Sequence, residues 1–229
     1  MAKKKLDKKS MDAEITDALL DDFDKFENFA MTHWKGIFTA CAVIVLVVAA
    51  YATITTVQRN ANDKMVATLV NAKTIDELNS ALEQYPNSAA SVDARLRLAV
   101  LYRKDKKYVD AAKALQAVAT DDTIPAQLKY RAKLDIGYLT ELAGEFNDAA
   151  EKFATVAADT FAPQAMKCEG AYAAGRIYLK LKDNAKATQY LQEAVSAGAL
   201  GKGGMDFALD LWQRQAKALL LTVPAIAQT

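Results

Sequence analysis

The sequence predicts an all-α protein in which a single transmembrane helix is followed by an α-solenoid of helical hairpins. Residues 36–57 form an uninterrupted run without a charge, which is long enough for a membrane-spanning helix. Beyond it, apolar residues recur at helical spacings, and the chain repeats itself with a period of 38. We therefore divide the chain into a tail at 1–35, a span at 36–57 and a repeat domain at 60–223.

The apolar run lies between Lys35 and Arg59 and reads GIFTACAVIVLVVAAYATITTV. A cleavable signal peptide is the main alternative, but such a peptide has a short basic leader and an apolar core of about 7–15 residues. Here the leader occupies the whole of 1–35 and carries eight acids against seven lysines. The sequence therefore predicts an uncleaved membrane anchor.

The orientation of this anchor follows from its flanking positive charges, which favour the cytoplasmic side. Lys25 and Lys35 before the span are balanced by Arg59 and Lys64 after it, but the whole short tail is rich in lysine. We expect the amino terminus in the cytoplasm of a bacterium and a single pass through its inner membrane. The large domain would then be periplasmic or otherwise extracytoplasmic.

The tail contains a predicted amphipathic helix at residues 10–31. Its apolar stripe comprises Met11, Ile15, Leu19, Phe23 and Phe26, and its acidic face comprises Asp17, Asp21, Asp24 and Glu27. A helix that lies on anionic lipid would be basic on that face. Two interpretations stay open: the helix packs on a partner protein, or it lies near the membrane interface.

The repeat domain is predicted to contain four helical hairpins and a closing helix. Their approximate bounds are 60–87, 88–124, 125–162 and 163–197, with the closing helix at 205–221. The helix that runs on from the span is predicted from Asn60 to Thr74, and the glycine-rich segment at 198–204 is predicted to be a flexible turn. Small residues recur 38 apart on the first helices, at Ala99, Gly137 and Gly175, and on the second helices, at Ala111, Ala149 and Ala187. Two helices can cross closely only where their side chains are small, so these columns predict paired helices.

These columns resemble the tetratricopeptide repeat (TPR). Tyr102 and Tyr178 occupy the place of that family's aromatic residue on the first helix, whereas Thr140 departs from it. The period of 38 is longer than the family's usual 34, which implies longer connections. The order of tail, span and repeats is similar to the TPR-like ancillary subunits of the SecYEG translocon. This resemblance implies contacts with the secretion channel and with periplasmic chaperones.

In the tetratricopeptide family the first helices line a concave groove that binds protein partners. The resemblance implies a groove formed by Arg103, Arg131, Tyr138, Glu141, Tyr172 and Arg176. Arginine and tyrosine are the side chains that most often anchor a protein partner.

Other functional classes find little support in the sequence. Residues 60–229 contain 21 basic and 20 acidic residues, a balance that argues against nucleic-acid binding. The only histidine, His33, lies beside the span, so we expect no catalytic residues, metal, cofactor or small-molecule substrate. Cys41 and Cys168 lie far apart along the chain, and we expect Cys168 to be a core residue rather than half of a disulfide.

The sequence thus favours a membrane-tethered scaffold for protein–protein interaction over an enzyme. Assistance to protein export at the translocon is the main hypothesis. An assembly factor for an envelope or cell-division complex and a regulator that acts through its acidic cytoplasmic helix are the alternatives.

Overall fold

The computed structural model describes residues 8–197 and 207–224, with side chains described from Phe23 onward. All regular secondary structure in these ranges is α-helical, which confirms the predicted all-α class. The chain divides into two compact units, residues 1–64 and 65–229. The helices are α1 (Lys8–Asn71), α2 (Ile75–Gln84), α3 (Ala89–Lys104), α4 (Tyr108–Thr120), α5 (Ala126–Leu142), α6 (Phe146–Ala158), α7 (Gln164–Lys180), α8 (Asn184–Ser196) and α9 (Phe207–Leu220).

Helix α1 has 64 residues and contains the predicted tail helix, the span and the start of the repeat domain without a break. Among the described helices, α1 alone is long enough and apolar enough to cross a membrane, and none of its most apolar window is buried. The predicted boundaries at residues 35 and 57 therefore mark changes in composition and not ends of helices.

The first connection corrects one predicted boundary. We expected the helix after the span to continue to Thr74, but α1 ends at Asn71 and Thr74 caps α2. The Thr74 hydroxyl accepts the backbone N–H of Glu77 at 3.2 Å, and the Glu77 carboxylate accepts the N–H groups of Lys73 and Thr74 at 2.7 and 3.2 Å. In this capping box, side chains bond the backbone N–H groups that a continuous helix would have bonded to its own carbonyls. The box therefore separates α1 from α2.

The helix bounds repeat with the same period as the sequence. Helices α4, α6 and α8 each have 13 residues and begin 38 apart, and α5 and α7 each have 17 residues with the same offset. Each helix from α2 onward packs against the next one along the chain. Ala111, Ala149 and Ala187 are all completely buried, so the second-helix column lies in the core in all three hairpins.

The first-helix column marks the closest approach within each hairpin. A Cβ atom added at Gly137 would lie 2.7 Å from Cε1 of Phe153, and one added at Gly175 would lie 2.7 Å from Cγ of Leu191. Phe153 and Leu191 hold equivalent positions of successive repeats and are fully buried. Both glycines thus lie where the two helices of a hairpin leave no room for a larger residue.

The turns between the helices of each hairpin also repeat. Lys106, Gly144 and Lys182, at equivalent positions of the three repeats, have φ angles of 61°, 89° and 63°. This left-handed conformation is favourable for glycine and strained for the two lysines. Pro125 and Pro163 stand immediately before α5 and α7, where each new unit begins.

Helix α9 covers the last hairpin by packing on α7 and α8. Its bounds, Phe207–Leu220, fall within the closing helix predicted at 205–221. Ala216 of α9 is completely buried, and the side-chain amide of Gln213 donates to the carbonyl of Ala197. Cys168 is fully buried and its thiol donates to the Ala194 carbonyl at 3.2 Å, so it is a core residue as predicted. The glycine-rich turn predicted at 198–204 lies outside the described residues.

Candidate partner-binding surface

A cleft of about 340 Å³ lies between the first helices of two neighbouring hairpins, α3 and α5. It contains three of the six predicted groove residues, Arg103, Arg131 and Tyr138. Its remaining lining is mainly apolar: Leu96, Ala99, Val100, Leu115, Asp135, Leu139 and Leu142. Half of the predicted groove residues thus share one concave surface.

A second cleft, of about 400 Å³, continues this surface towards the end of α1. It shares Leu96 and Val100 with the first cleft and is also lined by Ala72, Lys73, Leu78, Arg97 and Leu101. We call the two clefts together the α3 trough. Val100 and Leu142 in this trough are each 54% exposed, although both are aliphatic. Exposed aliphatic side chains that cluster in a concave surface are typical of binding sites.

Arg97 fixes the edge of the trough to the end of α1. Its guanidinium donates to the carbonyls of Leu69, Val70 and Ala72, with distances of 3.3 Å to Val70 and 2.7 Å to Ala72. Asp93 accepts a further bond from Arg97 at 2.8 Å. The last carbonyls of a helix lack partners within the helix, and a cation satisfies them well.

The two arginines in the first cleft differ in their electrostatic environment. Arg131 is held between Asp135 at 2.6 Å and Glu169 at 3.0 Å, so its charge is compensated. Arg103 is exposed and, among the described residues, makes no ion pair or side-chain hydrogen bond. Arg103 is therefore the cation of the first cleft that is available to a ligand.

Glu169 is the centre of a buried network between α5 and α7. It is 6% exposed, accepts two bonds from Arg131 and accepts the Tyr138 hydroxyl at 2.9 Å. Burial opposes the charge of Arg131, but the bonds and charges of Asp135 and Glu169 raise the pKa of its guanidinium. Burial and then Glu169 raise the pKa of Tyr138 well above its usual value. Arg131 therefore stays charged and the Tyr138 hydroxyl stays neutral near neutral pH.

The predicted groove residues Glu141 and Arg176 pair with each other. The Arg176 guanidinium donates to both carboxylate oxygens of Glu141 at 2.7 and 2.6 Å. The hydrogen bond to Glu141 is the main cause of the raised pKa of Arg176. These two residues join α5 to α7 and do not line the α3 trough.

Tyr172, the last predicted groove residue, packs under the closing helix. Its ring lies 5.5 Å from that of Trp212 between centroids, and the side chain is only partly exposed. The structure therefore brings together Arg103, Arg131 and Tyr138 but uses Tyr172 as a packing residue.

Sequence reasoning overlooked Asp135 and the capping role of Arg97. Asp135 follows Arg131 by four residues, and Arg97 follows Asp93 by four, which is the spacing of helical ion pairs. That signal could have identified Arg131 as partly neutralised. The pairing of Arg131 with Glu169, one full repeat away, depends on helix packing and has no local signal.

Comparison with known proteins adds no family to this description. No family model matches the chain, and no curated protein matches it at a significant level.

Proposed function

We propose that this protein is a membrane-tethered scaffold for protein–protein interaction, with α1 in the bacterial inner membrane and a TPR-like solenoid outside the cytoplasm. The repeated helix bounds support the solenoid, since α4, α6 and α8 recur at the interval of the sequence repeat. The length and apolar character of α1 support the tether.

The observation that carries the proposal is the α3 trough. Its exposed aliphatic residues, Val100 and Leu142, lie beside the uncompensated charge of Arg103. The other polar groups of the first cleft, Arg131, Asp135 and Tyr138, are bonded to one another or to Glu169. Such an arrangement suits a surface that binds a partner, since its polar groups are fixed and its apolar groups are open.

The partners that we propose are the secretion channel and periplasmic chaperones, as the resemblance in layout to translocon ancillary subunits implies. Tethering to the membrane would confine the trough near newly exported chains. Confinement raises the effective concentration of a binding site without any new contact.

A crosslinking experiment tests this function. A photo-reactive amino acid is placed at Val100, and a matched control is placed at Val109, which is 51% exposed on α4 and outside the trough. In native membranes we expect adducts with channel subunits or periplasmic chaperones from Val100 and none from Val109. If the adducts contained only envelope-synthesis or division proteins, the export function would be wrong, and a function in assembly of an envelope or cell-division complex would be supported instead. Equal adduct yields from both positions would remove the trough as the binding surface.

The topology is tested separately with protease added to intact spheroplasts. We expect the helical domain that starts at Met65 to be degraded while the tail is protected. Protection of the large domain would reverse the orientation and end the proposal of a periplasmic partner.

A further inference from the structure

We propose that the α3 trough binds a short, extended apolar polypeptide segment with a carboxylate that pairs with Arg103, and that the equivalent surface between α5 and α7 is closed to it. This inference rests on the proposed function, for which it names the ligand class and the location.

The repeat provides the comparison between the two surfaces. The positions of Leu96 and Val100 in the first full hairpin are held by Leu134 and Tyr138 in the next one. Leu96 and Val100 line both clefts of the trough, and Val100 is 54% exposed. Leu134, in contrast, is completely buried. Position by position, Leu96 is partly buried where Leu134 is completely buried, and Val100 is exposed where Tyr138 is partly buried. This face of the first helix is therefore more open in the first full hairpin than in the next.

The surface between α5 and α7 is closed by charge pairs. Glu169 bonds Arg131 and Tyr138, and Glu141 bonds Arg176 through two hydrogen bonds. A ligand that entered here would have to leave buried charges without partners, which is costly in a poorly solvated environment. The position of Arg103 in the first full hairpin corresponds to Glu141 in the second. The charge at this position of the second hairpin is therefore paired with Arg176.

The lining of the α3 trough defines the chemistry of its ligand. Leu96, Val100 and Leu142 offer aliphatic contacts, and Arg103 offers an exposed, uncompensated cation. A carboxylate is the complement of a guanidinium, with which it can form two parallel hydrogen bonds. An apolar segment without an acidic residue would leave Arg103 unpaired. An acidic residue without apolar neighbours would leave the aliphatic side chains exposed to water.

The length of the ligand follows from the spacing along α3. Seven residues separate Leu96 from Arg103, which corresponds to about 10 Å along a helix. An extended chain covers that distance with about three residues. We therefore infer a motif of three or four residues that is apolar at one end and acidic at the other.

The test uses two labelled hexapeptides, Gly-Leu-Val-Leu-Val-Glu and Gly-Leu-Val-Leu-Val-Gln, both amidated. Binding to the full-length protein in lipid nanodiscs is measured by fluorescence anisotropy, and the signal of empty nanodiscs is subtracted. We expect the Glu peptide to bind about fivefold more tightly than the Gln peptide. Arg103→Gln removes this difference, Val100→Asp abolishes binding of both peptides, and the control Arg214→Gln on α9 leaves both unchanged.

The location is tested with a photo-crosslinker at Val100 or at Leu179, which holds the corresponding position to Arg103 on α7. Adducts with the Glu peptide are expected from Val100 alone, and equal adducts from Leu179 would overturn the confinement to the α3 trough.

Equal binding of the two peptides by the wild-type protein would overturn the role of Arg103. Failure of both peptides to bind, while Val100 still crosslinks to proteins in native membranes, would overturn the ligand class and leave the scaffold function intact. Loss of both signals would overturn the function itself.

Discussion

Arg131 and Glu169 stand at equivalent positions of neighbouring repeats, and the Arg131 guanidinium donates to both oxygens of the Glu169 carboxylate at 3.0 and 3.1 Å. A residue of one hairpin is thus paired with its own counterpart in the next. The pair is reinforced by Asp135 on one side and Tyr138 on the other. This relationship joins two hairpins and closes the surface between them.

Replacement of Glu169 should therefore weaken the stacking of the hairpins. Glu169→Ala leaves the Tyr138 hydroxyl without its acceptor and removes one of the two carboxylates of Arg131. We expect the free energy of unfolding to fall by about 2–3 kcal/mol, since one member of a buried pair is lost. Urea denaturation of the full-length protein, followed by circular dichroism, measures this change. The exposed Glu193→Ala on α8 serves as the control, and an equal loss in both variants would contradict the role of the network.

Gly137 offers a sharper test of helix packing. In Gly137→Ala the new Cβ would lie 2.7 Å from Cε1 of Phe153, which is completely buried and cannot move freely. We expect a loss of about 1–3 kcal/mol from overpacking.

A double variant tests whether the loss in Gly137→Ala comes from its contact with Phe153 and not from a change in helix propensity. The first full hairpin has Ala99 and Leu115 at the positions of Gly137 and Phe153. Gly137→Ala combined with Phe153→Leu recreates that pair, so its stability loss should be smaller than the sum of the two single losses. Additive losses would show that the two residues do not interact.

The positions that the sequence predicted well are those with a steric reason to repeat. At Gly137 and Gly175 an added Cβ would lie 2.7 Å from the facing Phe153 or Leu191, and Ala111, Ala149 and Ala187 are completely buried. Such a constraint acts within one hairpin and leaves a periodic trace in the sequence.

The predicted groove was less well defined, because the state of each arginine depends on other helices. The sequence distinguishes Arg131 only by Asp135 four residues on, yet Glu169 also neutralises Arg131 and Glu141 neutralises Arg176 across a helix boundary. Only the packing of α5 against α7 determines these pairs. The end of α1 was misplaced for a more local reason, since the Thr74 side chain competes with the helical backbone for Glu77.

The turn lysines are expected to limit stability. Lys106 and Lys182 have φ angles of 61° and 63°, where the repeat places Gly144 in the middle hairpin. Lys106→Gly and Lys182→Gly should each raise the free energy of unfolding by about 1 kcal/mol, because glycine is not strained in the left-handed region. Gly144→Ala should lower it by a similar amount. Denaturation midpoints of the three variants check these signs, and a destabilising Lys106→Gly would contradict the argument.

Arg97 should hold the end of α1 to α3. Arg97→Ala removes the donor to the carbonyls of Leu69, Val70 and Ala72. We expect a loss of about 1.5–3 kcal/mol, the range for hydrogen bonds to a charged group. Hydrogen exchange should speed up first in residues 65–72. Arg103→Ala is the matched control and should leave exchange there unchanged, whereas faster exchange in both variants would point to a general loss of stability.

The hydrogen bond from Tyr130 to Asp159 predicts a loss of stability at alkaline pH. The Tyr130 hydroxyl donates to the Asp159 carboxylate at 2.7 Å, and burial, together with this acid, raises the pKa of Tyr130 to about 12. Since the pKa is higher in the folded state, the contribution of this group is complete below the usual tyrosine pKa near 10 and is lost as the pH rises towards 12. The comparison is between urea midpoints of the wild-type protein and Tyr130→Phe at pH 8, 10 and 11.

In that comparison the wild-type protein should be the more stable at pH 8, and its advantage should shrink above pH 10. Lysines and the other tyrosines titrate in both proteins, so their effect cancels in the difference. Asp159 also accepts the Phe161 N–H and an ion pair from Lys133, which keeps its carboxylate charged when Tyr130 is replaced. A difference between the two proteins that stayed constant up to pH 11 would mean that the pKa of Tyr130 is the same in the folded and unfolded states, which would contradict the argument.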